Sequence, residues 1–306
     1  MSSQNFNFSS FNEPYSNLTE STSLNNSEFW DDDEFIIPID FEFSISTHTF
    51  NTIYIVDWSV GGVLSSNASG NGILPIFIPI GQDIVSRFDS SASTSPLSYK
   101  TEGDAGSRIL KIEWNNAGFF EDSTQNDFMN FQVWLYEGTN AIEYRYGPNE
   151  INNPDESFEG LLGPNVGLFS SIDINNDMLV DYAYVISGDP LNPELTVYQP
   201  GDEYDGESLS AAIPDGTVFR FEAAELAINE FDLDSWALYP NPTTETIHIK
   251  TDSPLMSLKV FSIDGKLVIN TLENKTSLDV SHLPSGSYYI QLLSSVGVST
   301  KQFVKL

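Results

Sequence analysis

Residues 173–181 carry the sharpest local chemistry in this chain. Oxygen-bearing side chains fall at the first, third, fifth and ninth positions, as Asp173, Asn175, Asp177 and Asp181. Alternate residues of a tight loop point inward, and a hard Ca²⁺ ion takes several carboxylate or amide oxygens, so this spacing is that of a calcium loop. Met178 stands where such loops usually place a glycine. The other reading of the same residues is a polar hairpin loop between strands 166–169 and 182–186. Calcium is the one cofactor this sequence suggests. The clusters Asp31-Asp32-Asp33-Glu34 and Asp202-Glu203-Tyr204-Asp205-Gly206-Glu207 read as solvated surface able to collect divalent cations weakly.

The histidines limit enzymology. Of three, only His48 precedes residue 238, while His248 and His282 follow it. A two-histidine zinc helix is therefore excluded from the body, and a Ser-His-Asp triad would need His48 without a Gly-x-Ser-x-Gly elbow. No P-loop or Gly-x-Gly-x-x-Gly fingerprint is present. The chain has no cysteine, which removes thiolate nucleophiles, Cys-ligated zinc and disulfides. Carboxylate-pair chemistry on a polysaccharide needs no histidine and stays open as the alternative function. Among the aromatics Trp58, Trp114, Trp134, Tyr136 and Tyr144, Trp114 falls on the apolar face of its strand and reads as core. Trp134 and Tyr136 alternate with Val133 and Leu135, so they point to the opposite face. There they are either covered by a second layer or exposed as a binding platform for a glycan or protein ligand.

The elements that must position these residues are strands. Short runs rich in Ile, Val, Phe, Tyr and Trp alternate with Gly, Pro, Asn, Asp and Ser clusters, and long helical spacing is scarce, which predicts an all-β fold. The spacing predicts a large antiparallel β-sandwich over 29–222, then a linker over 223–237, then a small immunoglobulin-like β-sandwich over 238–306. Pro75 and Pro79 suggest that 73–80 is an edge or irregular strand. Turn signals fall at Gly61-Gly62, Glu137-Gly138-Thr139-Asn140, Asp264-Gly265 and Pro284-Ser285-Gly286. Residues 1–28, half Ser and Asn, read as a disordered leader. They show no apolar core or basic start of a secretory signal peptide as written. No apolar run reaches the roughly 18 residues of a transmembrane helix.

Charge divides the chain at the same place. The formal net charge is −32, from 12 Lys and Arg against 44 Asp and Glu. Residues 238–306 hold 6 basic and 5 acidic groups, which leaves 6 basic and 39 acidic groups before them. A body at −33 excludes non-specific binding to nucleic acid and docking on an anionic membrane.

Two resemblances follow from particular residues. Tyr239-Pro240-Asn241-Pro242 opens the last 69 residues, and Val260 to Lys266 follows with Asp264-Gly265 at its turn. Leu278 to Tyr289 then includes Gly286, and the chain ends from Lys301 through Lys305 to Leu306. This segment closely resembles the type A C-terminal sorting domain of proteins exported by the type IX secretion system. The resemblance implies a β-sandwich address label, the type IX secretion machinery as partner, and a Bacteroidota-type cell. It implies that the label is removed and the cargo released or attached to surface lipopolysaccharide. It also asks for a signal peptide that preceded Met1. In the body, residues 33–43, 50–55, 109–116, 131–138 and 141–147 together resemble nidogen-like extracellular β-sandwich domains. No catalytic residue is implied. Together the two resemblances imply a secreted or outer-surface, non-catalytic binding or structural protein.

Overall fold

The computed structural model describes residues 6–56, 61–68, 73–89, 92–173, 179–200, 202, 206–223, 236–251, 255–263, 265–271, 276–294 and 297–306. The chain divides into two compact units, Met1–Ala224 and Glu225–Leu306.

The first unit contains two main antiparallel sheets. In order across the first lie β1 (Phe6–Asn12), β17 (Thr217–Ala223), β13 (Ile142–Tyr146), β12 (Met129–Tyr136), β11 (Ile109–Phe119), β10 (Leu97–Glu102) and β2 (Thr22–Ser23), with β7 (Ile84–Ser86) also on β11. In the second lie β16 (Asn192–Tyr198), β15 (Leu179–Asp189), β14 (Val166–Asp173), β6 (Ile73–Ile78), β5 (Leu64–Ser65), β4 (His48–Ile55) and β3 (Phe35–Ile45). A short pair, β8 (Phe88–Asp89) and β9 (Ala92–Ser93), and one helical turn, α1 (Pro154–Ser157), complete it.

Alternation builds both inner faces. In β3, Ile37, Ile39, Phe41, Phe43 and Ile45 are buried while Ile36, Pro38, Asp40 and Glu42 are exposed. In β11 and β12, Leu110, Ile112, Trp114, Phe131, Val133 and Leu135 turn inward. Side chains from both sheets form one continuous core. Two tyrosines stitch the layers: the Tyr144 hydroxyl donates to the Gly167 carbonyl at 2.8 Å, and that of Tyr146 to the Pro79 carbonyl at 2.7 Å. Trp114 stacks on Phe131 at 4.7 Å and donates its indole N–H to the Gly61 carbonyl at 2.9 Å, so it is core. Gly61 adopts φ +72°, and a Cβ there would stand 2.6 Å from the Ile84 carbonyl oxygen.

Three sequence expectations are corrected. The leader over 1–28 is not disordered in its described part: Phe6–Asn12 is a strand paired in register with Thr217–Ala223. Mean composition hides the two-residue spacing of Phe6 and Phe8, which pack on Tyr184 and on Phe219 and Phe221. Of the two readings of 73–80 the edge is overturned, because β6 lies between β14 and β5, while its ladder with β14 is irregular. Pro75, which lacks an N–H, stands opposite the β14 irregularity between Phe169 and Ile172, where the ladder asks for no donor. The linker over 223–237 is narrower, with Ala223 inside β17 and Trp236 inside the second unit's core.

The second unit holds a three-stranded sheet, β18 (Trp236–Tyr239), β19 (Thr246–Thr251) and β22 (Ser277–Asp279). A four-stranded sheet joins it, β21 (Leu267–Thr271), β20 (Leu255–Ser262), β23 (Gly286–Ser294) and β24 (Gly297–Lys305). Trp236, Ile247, Ile249, Leu258, Val260, Ile290 and Phe303 close its separate core.

Candidate functional site

The outward face of the first sheet gathers most of the body's polar machinery. Because side chains alternate, β11 turns Lys111 and Glu113 outward, β12 turns Gln132, Trp134 and Tyr136, β13 turns Glu143 and Arg145, and β17 turns Arg220. Trp134 and Tyr136 are each half-buried, their ring centroids 6.3 Å apart. The Lys111 ammonium lies 3.8 Å from the Trp134 ring centre and the Arg145 guanidinium 4.1 Å, from the strands on either side. The indole N–H donates to Gln132 Oε1 at 2.8 Å. The Tyr136 hydroxyl donates to Glu143 Oε2 at 2.8 Å, and Arg220 lies 4.8 Å over its ring. Glu143 is buried between Arg145 and Arg220, at 2.6 and 2.5 Å. Burial and the Glu143 carboxylate push the Tyr136 hydroxyl's pKa up, so it stays a donor.

A strap crosses this face. Residues 13–21 connect β1 at one edge of the sheet to β2 at the other. Arg145 pairs with Glu13 at 2.5 Å. Gln132 Nε2 donates to the Ser16 carbonyl at 2.9 Å and Lys100 Nζ to the Thr19 carbonyl at 3.0 Å. Glu113, 3% exposed, lies under the strap. It accepts from the Tyr15 hydroxyl at 3.1 Å, the Leu18 N–H at 3.0 Å and Gln132 Nε2 at 2.7 Å. Burial raises its pKa, against the pull of these donors. The Tyr15 ring packs against Gly147, where a Cβ would meet it at 2.5 Å. The sequence reading misses the strap, although Pro14-Tyr15 directly after the Phe-rich strand is a visible signal.

The remaining sequence candidates are dispersed. Of the calcium set, Asn175 and Asp177 lie outside the described residues. Asp173 and Asp181 are placed only as members of β14 and β15, which pair Asp173 with Leu179 in a hairpin. Trp58 also lies outside the described residues. His48 begins β4, paired with Ile45. Asp202 accepts the Gln199 N–H at 2.8 Å, which closes a turn. One acidic group is new: Asp83 joins Asp31 and Asp32, with carboxylate oxygens within 4.8 Å of one another, a spacing that could hold a metal ion. Burial, then Asp32 and Asp31, push the Asp83 carboxyl up to about 6.

In the second unit the Tyr-Pro-Asn-Pro opening is pinned to the last strand. Asn241 Nδ2 donates to the Gln302 carbonyl at 3.1 Å, and its Oδ1 accepts the Val304 N–H at 2.9 Å. The peptides before Pro240 and Pro242 are cis. Tyr239, 51% exposed, stacks on His248 at 5.5 Å. Lys301 donates to the Trp236 carbonyl at 2.5 Å, and the buried Lys305 donates to the Leu306 main-chain oxygen at 2.5 Å. Gly265 takes φ +81° and donates to the Ser262 carbonyl at 2.9 Å, while Asp264 lies outside the described residues. Gly286 opens β23 opposite Lys305.

Comparison with known proteins agrees with both units. A search of the curated proteins returns no match. Among solved structures, PorZ, a surface component of the type IX secretion system of Porphyromonas gingivalis, aligns at 11% identity and a TM-score of 0.22, over 80% of this chain and 50% of that one. A polysaccharide lyase aligns at 10% identity and a TM-score of 0.18, over 76% of this chain and 36% of that one. The chain thus spans half the length of the first of these and about a third of the second, and likeness at these scores carries no argument. Two family models match directly. One, a secretion system C-terminal sorting domain, covers residues 237–306 and marks the chain for export by the type IX system. The other, described as NIDO related, covers residues 5–184, more than half of the chain, and takes in the N-terminal strand and strap. The chain belongs to the NIDO-related family and ends in a secretion system C-terminal sorting domain.

Proposed function

We propose that the protein is a non-catalytic binding protein, released outside the cell or held on its outer surface after export. The observation that carries the export half is the tail: residues 237–306 match the sorting family and form a unit with its own core. Its opening motif is tied to its closing strand through Asn241. Deleting residues 238–306 is expected to leave the body in the periplasm. A truncated body that still reaches the surface would refute the assignment.

Binding rather than catalysis is supported by how the body's strongest carboxylates are used. Glu113 has the raised pKa of a candidate acid, yet three donors and the strap enclose it. Glu143 is spent between two guanidinium groups. Partners on every side of these carboxylates favour a structural use of them over proton transfer to a substrate. The ligand we propose is a glycan or a protein outside the cell, with attachment to surface lipopolysaccharide as one fate of the released body. Turnover on a polysaccharide panel, abolished by one Asp or Glu substitution, would instead establish the carboxylate enzyme. The 173–181 loop is proposed to take Ca²⁺; calorimetric titration without binding heat would remove that ion.

A further inference from the structure

We propose that the cavity beside Phe29 and Phe120 receives the side chain of a lysine or arginine presented by a partner protein. The cavity measures about 150 Å³, and its walls include Phe29, Asp31, Val85, Phe119 and Phe120. That volume accommodates a group about the size of benzene. Phe29 is 45% exposed and Phe120 55%, so a partner can reach both rings from solvent. Aromatic walls solvate an alkyl stem and attract the cation at its end.

Electrostatics selects a cation over a neutral or anionic ligand. Asp31 is itself a wall, and its carboxylate oxygens lie within 4.8 Å of those of Asp32 and Asp83. Glu121 and Glu159 add to the negative field at Asp83. Among the described residues, no Lys, Arg or His pairs with this trio. The body's own cations are committed: Lys100, Arg108, Lys111, Arg145 and Arg220 all pair with glutamates on the first sheet or its rim. Arg87, the remaining one, is held by Asn116 and the Gln125 carbonyl, and its aliphatic stem packs on Gly118 to form a wall. One Asp83 oxygen is buried without a hydrogen-bond partner among the described residues, so no internal donor offsets the trio's charge there. Arg87 and Gln125 also line the cavity, with the guanidinium turned to Asn116 and the Gln125 carbonyl rather than to the trio. The carboxylates outnumber that one cation, so an incoming cation relieves repulsion and gains ring contact together.

The inference rests on the body being a binding module, but its test is separate from that of export. Fluorescein-labelled tetralysine and tetraarginine peptides are titrated against the full chain by anisotropy, at low and at moderate salt. Asp31→Asn is expected to weaken binding by about tenfold and Phe120→Ala by about fivefold. Asp104→Asn, which removes the same charge from an exposed turn, is expected to leave it within about twofold. Equal weakening by Asp31→Asn and Asp104→Asn would reduce the effect to diffuse attraction and overturn the proposal. So would peptide binding that is indifferent to Phe120→Ala and lost on adding CaCl₂ or spermidine, since the trio alone would then be the site. Asp31 lends no side-chain hydrogen bond to the fold among those described, and Phe120 is exposed, so both variants keep the protein folded.

Discussion

The seat of Tyr15 on Gly147 makes a quantitative demand on the strap. An added Cβ at position 147 would stand 2.5, 2.6 and 2.7 Å from three atoms of the Tyr15 ring, where carbon atoms normally keep about 3.5–4.0 Å. Gly147→Ala must therefore lift the ring by about an ångström. The hydrogen bond from its hydroxyl to Glu113, already 3.1 Å, goes with it. Overpacking of this kind costs about 1–3 kcal/mol. Tyr15→Ala loses a hydrogen bond to a charged acceptor, about 1.5–3 kcal/mol, and the contact of a half-buried ring. In the double variant the added methyl meets no ring, so its stability should equal that of Tyr15→Ala alone. The singles would then sum to about 1–3 kcal/mol more than the double, far outside the roughly 0.5 kcal/mol scatter of independent sites. Each kcal/mol lowers Tm by about 2–4 °C in a domain of this size. Urea unfolding measures the cycle, and limited proteolysis reads whether residues 13–21 open before the sheet does. Additive singles, or an unchanged cleavage rate in the strap, would refute the seat.

Two further outcomes follow from local geometry. The Asp83 carboxyl is pushed up to about 6 from 3.8, first by burial and then by Asp32 and Asp31. A folded pKa above the unfolded one means stability is highest below about pH 4 and falls as pH rises toward 6. Asp83→Asn should therefore stabilise by about 1 kcal/mol at pH 7, after discounting for solvent screening, and by nothing near pH 3.5. Urea midpoints at the two pH values check it, and an equal gain at both would contradict the cause. In the tail, Asn241→Ala removes a donor to Gln302 and an acceptor for Val304. The tail should lose about 1–2 kcal/mol while the body's transition stays fixed, read by calorimetry on the full chain.

The strands with clean alternation are legible in the residue pattern itself. Trp114 reads inward and Trp134 outward from the two-residue period alone, and the fold buries the first and half-buries the second. Residues 1–28 mislead because average composition predicts disorder, whereas a strand needs only Phe6 and Phe8 on one face and an open edge to pair with. Pro75 misleads only toward an edge, for a related reason. Proline is excluded from a ladder only where its N–H is needed, and the β14 irregularity at Ser170 and Ser171 removes the need, a pairing no local window contains. The acidic trio is half visible, since Asp31 and Asp32 are adjacent but Asp83 is brought in from β7's approach by the fold.

The same geometry explains where the body's few cations went. Five of its six basic residues serve the first sheet or its rim, as Lys100, Arg108, Lys111, Arg145 and Arg220. That sheet buries Glu143 and Glu113 outside the hydrophobic core, and a buried carboxylate is tolerated only with charge or hydrogen-bond partners. Glu143 takes two guanidinium groups, and Arg145 reaches on to hold Glu13 of the strap. The cations are thus consumed where glutamates leave water, under and around the strap. The buried Asp122 and Asp127 are held instead by hydroxyl, amide and backbone N–H donors, and exposed acid is screened by hydration and salt. The net charge of −32 is therefore distributed: near balance under and around the strap, and strong excess elsewhere, including the mouth of the Phe29–Phe120 cavity. A basic partner steered by the whole body would find its counter-charges at that cavity and already neutralised at the strap.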